Sequence, residues 1–218
     1  MRALESSAFL TSCAVTMLAV ACMLVAEARA AKVLRAVSKS FAALGFLAAA
    51  LSAGLPATRA GTITLFALVF CAVGDLLLLF DGASRAFLLG LTAFLVGHVG
   101  FLAAFVTDGV SWSASGLALL ALAPVVFFVM RWLLPHVGTS MKLPVLAYVA
   151  VITLMVASAV GSFAQGGSVL GLLAATAFFA SDFSVARGRF VSDTLINKLW
   201  GTPLYFGAQL VFAAWMLR

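Results

Sequence analysis

The 218-residue chain is predicted to be all-α, a polytopic membrane helix bundle of about eight transmembrane helices. Three observations carry that expectation. Hydrophobic residues make up 65% of the sequence and charged residues 9%, with a mean hydropathy of +1.21, far outside the range of water-soluble domains. Apolar runs of about 16 to 22 residues recur between short polar breaks, and about 20 helical residues span a hydrocarbon core. The basic residues fall mainly in alternate breaks, as they do in multi-pass proteins.

The first run, 8–26, follows Arg2 and precedes Ala28-Arg29-Ala30, a combination that a cleaved signal peptide also shows. It is longer than a usual signal core, and Arg29, Lys32, Arg35 and Lys39 follow at once, a cluster that resists translocation. It is therefore taken as helix one. Helix two, 40–55, is opened by Lys39, and helix three, 61–80, contains Asp75 within "LFALVFCAVGDLLLLFDG". Helix four, 86–106, carries His98 and a small-residue face of Gly90, Ala93 and Gly97 suited to close packing. Helices five and six, 113–133 and 143–161, are bounded by Arg131 and Lys142. Helix seven, 168–186, bears Ser181 and Asp182, and helix eight, 199–217, bears Tyr205 and Gln209 one turn apart on one face. No soluble segment is long enough to fold separately, so residues 1–218 are expected to form a single transmembrane domain.

Alternate loops test the helix count. Loops one, three, five and seven hold ten of the thirteen Lys and Arg residues, whereas the opposite side holds only Arg2, Arg59 and Arg218. The positive-inside rule then makes the odd loops cytoplasmic and leaves both termini outside. This is an integral, multi-pass protein, of the plasma or inner membrane if bacterial. The net charge of +6 and pI near 9.8 follow from those topology determinants; without a clustered basic face or recognition motif they do not indicate nucleic acid. Cys13, Cys22 and Cys71 lie in apolar runs without metal-ligand spacing and read as small packing residues.

A carboxyl group at membrane depth is costly unless paired, protonated or facing a wet cavity, so Asp75 and Asp182 are candidate functional residues by default. Both approach the cytoplasmic ends of their helices. Lys39, Tyr205 and Gln209 reach the same half of the bilayer, and His98 lies nearer the midplane. Each also has a plainer role open to it. The aspartates can be structural partners of Lys39 or Arg189, His98 can hydrogen-bond between helices, and Tyr205 can be an interfacial anchor.

Five segments, "GDLLLL" (74–79), "GLTAFLVGH" (90–98), "LPVLAYVAVITLM" (143–155), "SDFSVARGRF" (181–190) and "YFGAQLVFA" (205–213), stand in a characteristic order and spacing. Together they resemble the YhhN-like family of integral membrane proteins, whose characterised members are lysoplasmalogenases, from about residue 39 to the C-terminus. Carried over by position, the family's Gly-Asp falls on Gly74 and Asp75, its histidine on His98, its Ser-Asp on Ser181 and Asp182, and its Tyr and Gln on Tyr205 and Gln209. Two departures stand out. The family's usual Lys-Pro is Lys39-Ser40, which bears on how helix two begins, and a tyrosine often found three residues after the histidine is Phe101, which removes a hydroxyl available to a headgroup.

The resemblance implies hydrolysis of the vinyl-ether bond of a lysoplasmalogen to a fatty aldehyde and a glycerophospho-ethanolamine or -choline, with a lysophospholipid and the bilayer as partners and no cofactor. Such a bond breaks when an acid protonates its β-carbon and water captures the oxocarbenium ion. Burial in a low-dielectric medium favours a protonated carboxyl, and a second carboxylate can stabilise the cation and take a proton from water. Asp75 is expected as the acid and Asp182 as the base, with the exchanged assignment also open. Lys39, His98, Ser181, Arg189, Tyr205 and Gln209 are expected around the substrate, Lys39 or Arg189 meeting its phosphate. Two other classes stay in view: a proton-coupled transporter, and a metal-dependent lipid hydrolase with Asp75, Asp182 and His98 as ligands.

Overall fold

A computed structural model describes residues 6–80 and 84–215. Among them are eight long α-helices: α1 (Ser7–Ala28), α2 (Lys32–Ser52), α3 (Arg59–Leu77), α4 (Ser84–Asp108), α5 (Trp112–Leu133), α6 (Thr139–Ala164), α7 (Val169–Phe190) and α8 (Leu195–Trp215). Seven are long and apolar enough to cross a membrane. The eighth, α8, has the length but carries Asn197, Lys198, Pro203 and Gln209. It tolerates them because it lies inside the bundle, against α7, α2 and α1, where protein rather than lipid surrounds its polar groups.

The apolar runs locate every helix, and the ends move outward where polar residues continue the helical chain. Helix two starts at Lys32 rather than residue 40, so Lys32, Arg35 and Lys39 are helical residues, not loop residues. No Pro or Gly interrupts 32–40, and Ser40 simply donates its hydroxyl to the Ala36 carbonyl (3.0 Å), so the change from Lys-Pro leaves the helix continuous. Helix seven runs on to Phe190, which puts Arg187 and Arg189 on its last turn. Helix three ends earlier than expected, at Leu77. The expected end of helix eight at Leu217, and the basic residues Arg2 and Arg218, lie outside the described residues.

Consecutive helices pack as antiparallel pairs, α1 with α2, α3 with α4, α5 with α6 and α7 with α8. The α3–α4 contact is close because small residues meet there: a Cβ on Gly100 would lie 2.9 Å from the Ala67 Cβ, and one on Gly97 2.8 Å from the Cys71 sulfur. Gly90 likewise faces Leu78, in keeping with the small-residue face expected on helix four. The core is aromatic. Phe101 stacks on Phe212 at 3.8 Å, Phe105 lies tilted against Trp215 at 4.3 Å, and Phe46 and Phe178 close on Phe206 and Tyr205. Phe101 is thus fully enclosed, so its missing hydroxyl has no headgroup to touch. The outward faces of α5 and α6 expose Leu120, Phe127, Phe128 and Leu143, the composition a lipid-facing surface requires.

Candidate active site

The ends of α1, α3, α5 and α7 and the starts of α2, α4, α6 and α8 lie at one end of the bundle. A cavity of about 620 Å³ opens there, a volume within the range of small-molecule sites. Most of its wall is apolar, including Phe87, Leu91, Phe94, Val149, Ile152 and Phe179. Asp75 and Asp182 both face it.

Asp75 sits two residues before the end of α3 and is only 2% exposed. Lys39, about two turns into α2, places its ammonium 3.2 Å from Oδ1, and Tyr205 of α8 donates its phenolic hydroxyl to Oδ2 at 2.7 Å. Gly74 lets the Phe94 ring close over this turn of α3: a Cβ there would lie 2.7 Å from the ring. Phe94 in turn meets Tyr205 edge-on at 5.8 Å, which fixes the phenol against the carboxyl. An ammonium and an O–H, both pure donors toward Asp75, complement an ionised carboxylate.

Asp182 has a different set of partners. Tyr148 of α6 donates to its Oδ2 at 3.0 Å, and His98 Nε2 approaches the same oxygen at 3.3 Å without hydrogen-bond geometry. The other imidazole nitrogen, Nδ1, lies 2.7 Å from the Phe94 carbonyl. A carbonyl only accepts, so Nδ1 carries a proton and neutral His98 presents a bare lone pair at Nε2. Facing a carboxylate, that arrangement is repulsive. One proton between Nε2 and Asp182 makes it attractive, either as imidazolium with carboxylate or as imidazole with carboxylic acid. The His98 ring is fully buried, held between Phe178 (4.2 Å) and Tyr148 (5.0 Å).

Of the residues expected around a substrate, Lys39, Arg189 and Tyr205 line the cavity with the two aspartates. Lys39 is spent on Asp75 rather than left for a phosphate. Arg189 pairs with neither aspartate; its guanidinium lies over the Phe87 ring at 4.2 Å. His98 reaches the site only through Asp182. Ser181 is buried and turns its hydroxyl onto the Phe178 carbonyl at 2.7 Å, away from the cavity wall. Gln209, one turn below Tyr205, is enclosed beside the Cys71 thiol, and neither of its amide atoms makes a hydrogen bond. Tyr148 went unnoticed in the sequence. It lies within "LPVLAYVAVITLM", where a lone tyrosine in an apolar helix looks like packing, and only the approach of α6 to α7 gives its hydroxyl a partner.

Among the described residues no three His, Cys, Asp or Glu side chains converge as a metal-binding group. Asp182 and His98 are adjacent, but Lys39 occupies the near side of Asp75, where a cation would be repelled.

The sequence profile of the YhhN family matches residues 34–216. The chain is 28% identical to a protein of Mycobacterium bovis named lysoplasmalogenase, over 179 residues covering 79% of this chain and 67% of that one. A lysoplasmalogenase of Mycobacterium tuberculosis matches to the same extent. A third, from Mus musculus, is 34% identical over 155 residues, 70% of this chain and 62% of its own length. The matched part thus spans about two thirds of each relative. No solved structure matches the chain.

Proposed function

The chain belongs to the YhhN family, and from that premise we propose that it is a membrane-embedded hydrolase cleaving the vinyl-ether bond of a lysoplasmalogen to a fatty aldehyde and a glycerophospho-ethanolamine or -choline. What carries the proposal is one apolar, lipid-sized cavity faced by two Tyr–Asp pairs in unlike surroundings. Tyr205–Asp75 is completed by a lysine, and Tyr148–Asp182 by a histidine.

These partners favour the exchanged assignment of acid and base. A proton carried by the His98–Asp182 pair, delivered through the cavity-lining Asp182, is the one available to the β-carbon of the vinyl ether. Its transfer leaves an oxocarbenium ion, and Asp75, kept as a carboxylate by Lys39 and Tyr205, faces that cation and takes the proton from the attacking water. The hemiacetal so formed loses the glycerol alcohol as the carbonyl of the aldehyde forms. Asp75 passes the proton it took from water to the leaving oxygen, and the hemiacetal hydroxyl returns its proton to the His98–Asp182 pair as the carbonyl forms, so both groups are reset and the cycle consumes one water. The distribution of Lys and Arg, ten at the cavity end of the bundle, supports a cytoplasmic opening with both termini outside.

The test is incubation of purified protein with a lysoplasmalogen and a matched acyl lysolipid in D₂O, trapping aldehyde with borohydride and measuring fatty acid separately. Aldehyde is expected only from the vinyl ether, with one deuterium at carbon 2. Fatty acid from the acyl lipid with no aldehyde from the vinyl ether would overturn the proposal.

A further inference from the structure

At the cavity mouth stands a charge cluster that the two-aspartate chemistry does not use. Glu27, one residue before the end of α1, meets Lys198 Nζ at 3.0 Å through Oε2 and Arg35 Nη1 at 3.6 Å through Oε1, and Lys198 also reaches Asp193 at 3.4 Å. All four line the cavity. Side-chain exposure rises from 3% at Asp75 through 17% at Glu27 and 18% at Asp182 to 32% at Lys198 and 67% at Asp193, so Lys198 and Asp193 stand at the wet end of the cavity and Asp75 at its dry end. The cluster is braced from behind, since Asn197 accepts from Arg187, donates to the Ser192 carbonyl at 2.7 Å, and offers its own carbonyl to Ser184 at 2.6 Å. Glu27 lies outside the family-matched residues 34–216, on the helix that completes this wall with Met23.

Resting on the proposed lysolipid chemistry, we propose that Glu27, Lys198 and Arg35 form a binding site for a zwitterionic phospho-amine headgroup, the amine seated on Glu27 and the phosphate between Lys198 and Arg35. The cavity wall carries four cations, Arg35, Lys39, Arg189 and Lys198, and four carboxylates, Glu27, Asp75, Asp182 and Asp193. A site for a bare phosphate gains nothing from a carboxylate between its two cations, because that carboxylate repels the ligand. A zwitterion exchanges one set of paired charges for another, so its two charges are desolvated without leaving any protein charge unpaired. The 3.6 Å Glu27–Arg35 approach is loose enough to open for it.

The probes are alkyl-ether lysolipids, which lack the vinyl double bond and cannot react, bearing phosphoethanolamine or a phosphate monoester, with binding followed by tryptophan fluorescence in detergent. The natural protein is expected to bind the phosphoethanolamine lipid about 10-fold more tightly than the phosphate monoester, about 1.4 kcal/mol. Glu27→Gln should bring that ratio close to one, whereas Lys198→Gln should weaken both lipids. Glycerophosphoethanolamine, with no chain, should compete only at about 100-fold higher concentration, having forfeited the apolar wall. A ratio near one in the natural protein, an equal loss of both lipids in Glu27→Gln, or equal competition by the chainless headgroup would overturn the proposal. Because these lipids do not react, failure of vinyl-ether hydrolysis shows separately, as absence of aldehyde from the reactive lipid.

Discussion

Replacing Asp75 by Asn separates a catalytic carboxylate from a structural one. The substitution keeps shape, and the amide oxygen can still accept from Tyr205, so that hydrogen bond survives at the neutral strength of about 1 kcal/mol. What is lost is the counter-ion of Lys39. Removing one partner of a fully buried pair costs about 3–5 kcal/mol. Lys39 is 17% exposed and lines the cavity, so its ammonium can turn toward water, and the expected loss is nearer 1–2 kcal/mol. Turnover should fall much further, by about 10² to 10⁴-fold, because an amide cannot take the proton from water. Lys39→Met in the same protein removes the stranded ammonium. Thermal unfolding in detergent should then recover toward the natural value while aldehyde production stays absent. If Asp75→Asn folds and turns over at the natural rate, Asp75 has no part in the chemistry. If activity returns with stability in the double variant, the pair is a strut.

Three further outcomes follow from the same geometry. His98→Gln should lower kcat by about 10²-fold with little change in KM, because His98 does not line the cavity and acts only through the proton it shares with Asp182; a rise in KM alone would contradict that positioning role. Tyr148→Phe should cost about 10-fold in kcat, the worth of one hydrogen bond to a charged acceptor, and an unchanged rate would remove Tyr148 from the site. A single cysteine at the exposed Ser192, with Cys13, Cys22 and Cys71 replaced, should react with an impermeant maleimide only from the cytoplasmic side of sealed vesicles, and labelling only from outside would invert the orientation.

Much of this molecule is legible along the chain. Length and hydropathy of the runs place the helices, and the alternation of basic loops sets which ends lie together, because the bilayer imposes both constraints locally. Asp75 and Asp182 stand out for the same reason: a carboxyl in hydrocarbon is costly wherever the helix around it packs. Partners are another matter. In a soluble helix the apolar stripe tells which face turns inward, but here lipid is as apolar as the core, so the rotation of each helix and its choice of neighbour leave little trace in the pattern. Only packing joins Lys39 to Asp75 and Tyr205 to the same carboxyl across 130 positions of sequence. Only packing turns Tyr148 and His98 onto Asp182, buries Phe101 and Ser181, and brings Glu27 from α1 to the start of α8. The sequence alone determined a membrane bundle with two carboxyls near its basic end. The tertiary structure decided which of them meets an ammonium and which an imidazole, since that depends on contacts between helices that no single helix encodes.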